Sequence, residues 1–406
     1  MASNSTTYAG LLKKLFIDNK KLEEMCEIMS PFYGAVKKDT NFYAKTAGIP
    51  VQYGRTNRVS HKASDGLSAL TGTSLTEQFV ITQATLWASA LMERQAILQS
   101  SKQEGGFRKM LEFEVGDTIK RVGRVLASEL LSGGSGSAGK VGEIDGTSLT
   151  LADVNSVVNF EVGDVVALSS VDGSGSLRDS GDTVTISAVN RDTGVLTGST
   201  AWATTITGAA AGDYIFHKGN HASGIKGVGA WIPATAPSGT DLFSVDRSLD
   251  PVRLAGHRFD ASSSSLPLED IILDAEARVR RDGGMPNVAY MSPARFADLQ
   301  KSLSTLIRGE MKSASGRYGY KSIVISGAAD INVVPDPFVS NDTVFLLEQD
   351  TWELMSMGNA PHIVTESGEL NRVIGADQFQ VDVAFYGNLV CYNPGANARI
   401  TLPSAS

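Results

Sequence analysis

Residues 107–131, FRKMLEFEVGDTIKRVGRVLASELL, decide the fold of this 406-residue chain. Apolar side chains recur in it every three or four residues, the spacing of one helix face: Phe107, Met110, Leu111, Val115, Ile119, Val122, Leu126 and Leu130. Glycines precede and follow the stretch, so the sequence predicts one helix about 40 Å long. Gly116 and Gly123 lie inside it, and each costs about 1 kcal/mol relative to alanine. Two interpretations are open: an ordinary core helix that is slightly weakened by the two glycines, or a helix that has to bend at them.

The composition of the whole chain is that of an ordinary globular protein. Hydrophobic residues make up 42 % and charged residues 20 %, and the length allows two or three domains. With no apolar run of about 18 residues and no secretory signal pattern, we expect neither a membrane span nor secretion. The net charge of −8 argues against general nucleic-acid binding, although the protein could still enclose DNA. Cys26 and Cys391 are far apart in the sequence, and free buried thiols fit a reducing cytoplasm.

Two segments before the long helix predict extended arms. Tyr8 to Ser30 has an amphipathic helical pattern that Pro31 ends, and its apolar stripe must contact its own domain or a neighbouring subunit. Residues 46–53 and 79–87 are predicted to be the strands of a hairpin with a long polar tip. Long loops are usually functional, so we predict an arm that lies on a neighbour, with a surface loop as the alternative. The candidate inter-subunit contact residues are Leu11, Leu15, Leu22, Arg55, Arg58, His61, Lys62 and Asp65.

The clearest change in composition comes directly after the helix. Residues 133–216 hold three basic and ten acidic residues, a charge of −7 that is nearly the whole net charge of the chain. Five short apolar segments there are spaced by Gly, Asp and Ser, beginning at Ser148, Asp164, Thr183, Gly194 and Tyr214. This pattern predicts an all-β module, a small barrel or sandwich, inserted on a surface loop.

The rest of the chain has a mixed pattern of helices and strands. Residues 267–281 and 293–303 are predicted helices, and each starts at or next to a proline. Short apolar runs between residues 323 and 355 are predicted strands. Residues 378–385 and 388–392 are predicted to be a final pair of strands joined near Gly387. The sequence therefore predicts an α+β fold.

The motifs that could indicate a cofactor or metal site lack the neighbouring elements or the further ligands that such sites need. Residues 134–139 spell G-x-G-x-x-G, but they follow a predicted helix and precede a strand, the reverse of a dinucleotide-binding turn. Residues 172–182 hold spaced carboxylates without the spacing or closing Glu of an EF-hand. His217 and His221 have no placed carboxylate or cysteine that would complete a zinc site. We therefore expect no enzyme activity, no cofactor and no metal, and a structural role gains weight.

The order of these parts resembles that of the major capsid (coat) proteins of tailed double-stranded DNA bacteriophages, the Hong Kong ninety-seven fold. Residues 48–54, GIPVQYG, and 78–86, QFVITQATL, are similar to the extended loop of that family, and residues 107–131 to its spine helix. Residues 286–299, PNVAYMSPARFADL, and 375–392 are similar to further coat-protein segments. The resemblance covers most of the chain outside residues 133–216 and is one of layout, because the family has no short invariant motif.

The resemblance implies five parts in a capsid fold. These are an N-terminal arm (1–41), an extended β-hairpin loop (42–93), the spine helix of the peripheral domain (94–132), the inserted all-β module (133–216), and the axial domain with the remainder of the peripheral domain (217–406). It also implies that Gly116 and Gly123 let the spine helix bend in a procapsid and straighten on expansion.

The resemblance further implies a function and partners. The chain would assemble with itself, as hexamers and pentamers, into an icosahedral shell around the DNA genome, in a virion formed in the bacterial cytoplasm. A portal and a decoration or cement protein would be further partners. The long charged N-terminal segment that some members use as a scaffold is missing here, which implies a separate scaffolding protein.

Three other classes stay open at this point. Encapsulin nanocompartments share the fold but usually lack such an inserted module. A phage tail or fibre protein would explain residues 133–216 but not the long helix or the mixed C-terminal part. A hydrolase or sugar-binding enzyme would need a clustered pair of acids that the sequence does not place.

Overall fold

The computed structural model describes residues 29–54, 75–93, 104–307, 323–327, 330–364, 371–372 and 377–403. The chain divides into two compact units, each assembled from three of its pieces. The first unit comprises Met1–Tyr43, Gln83–Ile225 and Leu354–Asn388, and the second comprises Ala44–Thr82, Lys226–Glu353 and Leu389–Ser406. The five-part division implied by the resemblance stays a prediction.

The described helices, in chain order, are α1 (Pro31–Ala35), α2 (Glu104–Leu131), α3 (Trp202–Thr205), α4 (Val228–Trp231), α5 (Leu268–Arg281) and α6 (Pro293–Ile307). The first described strands are β1 (Lys37–Asp39), β2 (Thr46–Gly54), β3 (Leu75–Thr82), β4 (Ala84–Glu93), β5 (Ser137–Asp145), β6 (Ser148–Leu151), β7 (Val165–Ser169), β8 (Val184–Asn190), β9 (Val195–Gly198), β10 (Tyr214–His217) and β11 (Thr240–Leu242). The others are β12 (Val245–Asp246), β13 (His257–Asp260), β14 (Val288–Met291), β15 (Ile323–Ser326), β16 (Asp330–Pro335), β17 (Thr343–Leu347), β18 (Trp352–Ser356), β19 (His362–Val364), β20 (Asn371–Arg372), β21 (Gln378–Cys391) and β22 (Ala398–Thr401).

The long helix predicted from residues 107–131 is α2, which begins three residues earlier than predicted. Its apolar stripe is buried from residue 115 onward, as predicted. The cluster that joins the helix to a sheet contains Val115, Ile119 and Val122 of α2, Ala90 of β4, and Val381 and Val383 of β21. That sheet has the order β1-β18-β21-β19, with β4 and β20 also paired to β21. Since burying an aliphatic side chain contributes about 1.5–3 kcal/mol, this helix–sheet seam is a main stabilising contact of the first unit.

A closed barrel of six strands occupies residues 137–217, where the sequence predicts an all-β module. The strand order around the barrel is β10-β5-β6-β9-β8-β7. Trp202 of α3 is fully buried in the barrel core, and its indole Nε1 donates a hydrogen bond to Thr147 O at 2.9 Å. The strand missing from the prediction is β5, because its residues are largely small or polar. That the barrel is an insertion into the fold stays a prediction.

The second unit is built on a mixed sheet with the order β13-β22-β17-β14-β16-β15. The two parallel pairs in it are β13–β22 and β14–β16. Helix α5 buries Ile271, Ile272, Ala275 and Val279 in the hydrophobic core of this unit. The predicted hairpin is present as β2 paired with β3, and Phe79 of β3 packs on Trp231 with ring centroids 4.9 Å apart. Strands β2 and β3 of the predicted extended loop therefore pack within the second unit.

Two local predictions were wrong. The strand that begins before Phe79 ends at Thr82, and residues 84–93 form the separate strand β4, paired along β21. The break falls at Gln83, whose side-chain Nε2 donates a hydrogen bond to Phe42 O at 2.7 Å. The predicted end of the N-terminal helix before Pro31 is confirmed, because Met29 is helical and Ser30 is not. Pro31 then begins the next helix, α1, which Ser30 caps by accepting a hydrogen bond from Tyr33 N.

The second wrong prediction concerns Gly387, which was expected to join two strands. The chain instead runs through it as the single 14-residue strand β21. A Cβ at position 387 would lie 2.2 Å from Met355 O, so the glycine permits a close approach of the neighbouring backbone. A glycine in a strand therefore marked a packing contact here and not a turn.

Candidate functional site

The described residues contain no cluster of three or more His, Cys, Asp or Glu side chains that could hold a metal ion. None of the described helices is both long and apolar enough to cross a membrane. Of the G-x-G-x-x-G letters at residues 134–139, residues 134–136 follow α2 and residues 137–139 begin β5, so the motif follows a helix and leads into a strand, as expected from the sequence. A Cβ at Gly136 would lie 1.9 Å from Asn220 O, so this glycine serves a close approach of two backbone segments.

The residues predicted to contact neighbouring subunits lie outside the described residues: Leu11, Leu15, Leu22, Arg55, Arg58, His61, Lys62 and Asp65. Gly116 and Gly123 both lie within α2. A Cβ at Gly116 would meet no described atom within 4 Å, other than nearby backbone of the helix itself. Gly123 is buried. The two glycines therefore differ in environment, and their role as bend positions stays a proposal.

One face of the first unit's sheet exposes large apolar side chains. Trp87 and Leu91 of β4 are 46 % and 55 % exposed, and they lie opposite Ala384 and Gln380 of β21. Between them lies Asp382, which is only 4 % exposed. Its Oδ1 accepts hydrogen bonds from Ser89 Oγ at 2.7 Å and from Gln380 Nε2 at 2.6 Å. We call Trp87, Ser89, Leu91, Gln380 and Asp382 the exposed sheet face.

The barrel contacts α2 through two ion pairs. Arg121 of α2 pairs with Asp164, and Arg124, one turn later, pairs with Glu161. Both acids belong to the turn between the short 3₁₀ helix Val154–Asn159 and β7. Asp164 is 8 % exposed, and its Oδ2 also accepts a hydrogen bond from Glu161 N at 2.8 Å. The carboxylate of Asp164 is therefore held in place by both the barrel backbone and the helix.

His217, the last residue of β10, lies beside these ion pairs. Its Nε2 is 3.1 Å from Asn159 O, and its Nδ1 is 4.0 Å from Asp164 Oδ2. Its ring packs on Phe160 with centroids 5.7 Å apart. Burial lowers the pKa of His217 below its ordinary value. The charge of Asp164 and the hydrogen bond with Asn159 O oppose this shift, and the charge of Arg121 adds to it.

A cavity of about 460 Å³ lies at this contact, lined by parts of α2, β4 and the barrel. Trp87, Arg121 and His217 line it, together with Lys218 and Asn220. Asn159 also lines the cavity, and its buried Oδ1 has no hydrogen-bond partner in the described part of the chain. We call Arg121, Arg124, Glu161, Asp164 and His217 the helix–barrel junction.

The two segments that connect the barrel to its unit are tied to each other and to α2. Ala222 N donates to Ser135 O at 2.9 Å, across the two connecting segments. Glu129, in the last turn of α2, accepts a hydrogen bond from Ile225 N at 3.1 Å. The barrel is thus attached to α2 at two places, the connecting segments and the helix–barrel junction.

The sequence analysis did not predict that the residues of the helix–barrel junction lie close together. Arg121 and Arg124 lie outside the apolar stripe of residues 107–131, on the polar face of the helix, and the acids of the junction were only part of the acidic count of residues 133–216. The one usable signal was two arginines three residues apart on that polar face, which is compatible with either solvent or a contact. Pairing across about 40 residues of sequence is decided by the folded barrel.

The sequence matches no protein-family model, and a comparison with curated protein sequences gives no match. Among solved structures, the chain is similar to a chain of the cyanophage A-1(L) capsid asymmetric unit, with a TM-score of 0.55 and 12 % identity. The alignment covers 94 % of this chain and 93 % of that one. At this identity the similarity shows the fold: the chain has a mixed α+β fold of the phage capsid class, which confirms the resemblance predicted from the sequence.

Two weaker matches have TM-scores below 0.5 and add nothing to this conclusion. A structure of Mycobacterium phage Adephagia gives a TM-score of 0.42 at 10 % identity, covering 93 % of this chain and 91 % of that one. The SrpI encapsulin of Synechococcus elongatus PCC 7942 gives a TM-score of 0.43 at 8 % identity, covering 92 % and 88 %.

Proposed function

We propose that this chain is the major capsid protein of a tailed double-stranded DNA bacteriophage, of the Hong Kong ninety-seven type, with the barrel as an inserted domain. It assembles as hexamers and pentamers into an icosahedral shell that encloses the genome. The observation that carries this proposal is the fold similarity to a phage capsid chain over nearly the full length of both chains. Its role is structural and not enzymatic, in agreement with the sequence analysis.

The exposed sheet face supports assembly with other copies. A shell subunit needs contact surfaces, and exposed large apolar side chains that cluster on one face are typical of such surfaces. Trp87 and Leu91 provide this apolar area, and aromatic residues are frequent among the residues that dominate binding energy. A closed lattice engages many weak contacts at once, so each one can be modest.

The two arms predicted from the sequence provide further contacts in this proposal. Residues Leu11, Leu15 and Leu22 would lay an apolar stripe on a neighbour. Arg55, Arg58, His61, Lys62 and Asp65 would form polar contacts at the tip of the extended loop. Gly116 and Gly123 would let α2 bend in the procapsid and straighten on expansion. Particles of the double variant Gly116→Ala/Gly123→Ala that assemble and expand normally would contradict that role.

The remaining partners follow from the same proposal. A portal and a separate scaffolding protein take part in assembly in the bacterial cytoplasm, and a decoration or cement protein is a further candidate. The chain carries −8 overall, with −7 of it in residues 133–216, so the rest is almost neutral and neither repels nor grips packaged DNA strongly. The protein is then a virion component that encloses DNA without sequence-specific binding.

Electron microscopy of the protein, expressed alone and together with the products of neighbouring genes, tests the proposal. Closed icosahedral shells, or rings of six and five subunits, are the expected result. DNA-filled particles in the presence of the neighbouring gene products distinguish a phage capsid from a compartment that holds a protein cargo. A monomer under all conditions, with neither rings nor shells, would contradict the proposal.

A further inference from the structure

The cavity at the helix–barrel junction runs along one edge of strand β4. All ten residues of β4 pair with β21 on one side, and no described strand pairs with the other side. Four consecutive residues of β4, 86–89, line the cavity. Because successive side chains of a strand point to opposite faces, a cavity that touches four in a row borders the edge of the strand. A free strand edge presents a row of backbone N–H and C=O groups that another extended segment can pair with.

The cavity is a groove between β4 and the barrel. Helix α2 contributes Val122 and Val125 to its lining, and the barrel and the segment that leaves it contribute Asn159, His217 and Lys218. Its volume of about 460 Å³ lies within the range of ligand pockets, roughly 300–1,000 Å³. The groove therefore has room for a short extended segment beside β4 and not for a folded domain.

Two polar groups of the groove have bonding capacity left over. The side-chain Nδ2 of Asn159 donates to Ala138 O at 2.8 Å, while its buried Oδ1 has no partner among the described residues. Lys218 is exposed and has no carboxylate partner in the part of the chain that the structure describes, whereas both arginines of the junction are paired with acids. The groove thus offers one acceptor for an N–H group and one cation for a carboxylate.

We propose that this groove binds an extended segment of a separate protein, which adds to the free edge of β4 and places a carboxylate at Lys218. In strand addition, main-chain hydrogen bonds give affinity and the pockets for alternate side chains give specificity. Apolar side chains at every second position would contact α2, and Asn159 Oδ1 would accept an N–H of the added segment.

Charge favours a separate protein over a second copy of this chain. The predicted tip of the extended loop, residues 55–74, holds three basic residues and one acidic residue, so it brings the wrong sign to Lys218. Part of the groove is built by the barrel, so the site depends on this module and goes beyond the proposed shell function.

Tryptophan fluorescence tests the proposal, because one of the four tryptophans lines the groove. Trp87 is 46 % exposed, and Trp202, Trp231 and Trp352 are fully buried, so acrylamide should quench mainly Trp87. The variant Trp87→Phe should lose most of that quenching. The probes are the end-blocked peptides Val-Thr-Val-Thr-Glu and Glu-Val-Thr-Val-Thr, added to the full-length chain at a concentration where it is unassembled.

At least one of the two peptides should protect Trp87 from acrylamide. No protection by either peptide up to about 1 mM would overturn the proposal. A version with N-methyl groups on every backbone nitrogen cannot donate to a strand edge and should not bind. Equal binding of that version would also overturn the proposal.

The carboxylate site is tested by a pair of lysine variants. Lys218→Gln should weaken binding of the acidic peptide by about three- to fivefold, the range of an exposed ion pair. Lys120→Gln, at an exposed lysine of α2 outside the groove, is the matched control and should leave binding unchanged. Unchanged binding in Lys218→Gln, or tighter binding of a synthetic peptide of residues 55–74, would overturn the proposal. Shell formation is measured separately, so failure here leaves the capsid proposal intact.

Discussion

Glu129 Oε2 accepts a hydrogen bond from the backbone N–H of Ile225, 3.1 Å away and 96 residues later in the chain. Both residues are buried, at 9 % and 1 % exposure. The contact fixes the end of α2 to the segment that leaves the barrel. The barrel is therefore positioned at its base by a carboxylate of the helix from which it starts, as well as by the helix–barrel junction.

Removing that carboxylate should destabilise the first unit. Glu129→Ala leaves the buried N–H of Ile225 without this acceptor, and we expect a loss of about 1–3 kcal/mol in the free energy of unfolding. Glu129→Gln keeps an acceptor oxygen and should lose clearly less. Urea unfolding followed by circular dichroism measures both, and equal losses for the two variants would contradict the assigned role of the acceptor.

Glycine to alanine substitutions at two positions should have opposite effects. Gly116→Ala should raise the free energy of unfolding by up to about 1 kcal/mol, because a Cβ there meets open space and alanine favours the helix. Gly387→Ala should lower it, because the Cβ would lie 2.2 Å from Met355 O. Thermal unfolding of the two variants gives the comparison, and a stable Gly387→Ala protein would show that β21 and β18 can move apart.

The ion pair between Arg124 and Glu161 should be exchangeable. Each side chain is 34 % exposed, so the pair contributes only about 0.2–1 kcal/mol. Arg124→Glu places two carboxylates together and should destabilise, whereas Arg124→Glu/Glu161→Arg should recover most of the loss. Unfolding at low salt and at about 1 M salt measures this, because screening should shrink the difference. A double variant no better than the single one would argue against the pairing.

Cys391 should be unreactive in the folded protein. Burial raises the pKa of its thiol to about 12, and its Sγ is fully enclosed beside Asn397. In a Cys26→Ser variant at pH 8, we expect Ellman's reagent to release thionitrobenzoate only after denaturant is added. Rapid reaction under native conditions would mean that this part of the second unit opens readily.

The exposed sheet face should matter more for assembly than for folding. Trp87→Ala/Leu91→Ala should reduce the yield of shells or rings at least tenfold, while the chain still folds and unfolds in a cooperative transition, because both side chains are about half exposed in the single chain. Leu266→Ala, 51 % exposed on the second unit, is the matched control and should assemble normally. Normal assembly of the double variant would remove this face from the proposed contacts.

The local periodicity of apolar residues was enough to predict a large part of the fold. The stripe from Val115 to Leu130 predicted the buried side of α2, and alternating short runs between Gly and Asp predicted five of the six barrel strands. Both signals arise within a few residues of chain, where side-chain spacing alone selects helix or strand. The order of the parts was enough to predict the capsid fold class.

Strand ends, strand pairing and long-range ion pairs were decided by the tertiary structure, because the periodicity of the sequence does not indicate them. Residues 84–93 continue an apolar run, yet Gln83 ends one strand and β4 pairs with β21, nearly 300 residues later in the chain. Gly387 resembles a turn, yet it lies inside β21 because a neighbouring carbonyl needs the space. Arg121 and Asp164 are 43 residues apart, and only the closed barrel brings them together. The sequence by itself determined the long helix α2, five of the six barrel strands and the order of the parts. Strand ends, strand partners and the helix–barrel junction depend on contacts between residues far apart in the chain, because those contacts leave no local pattern.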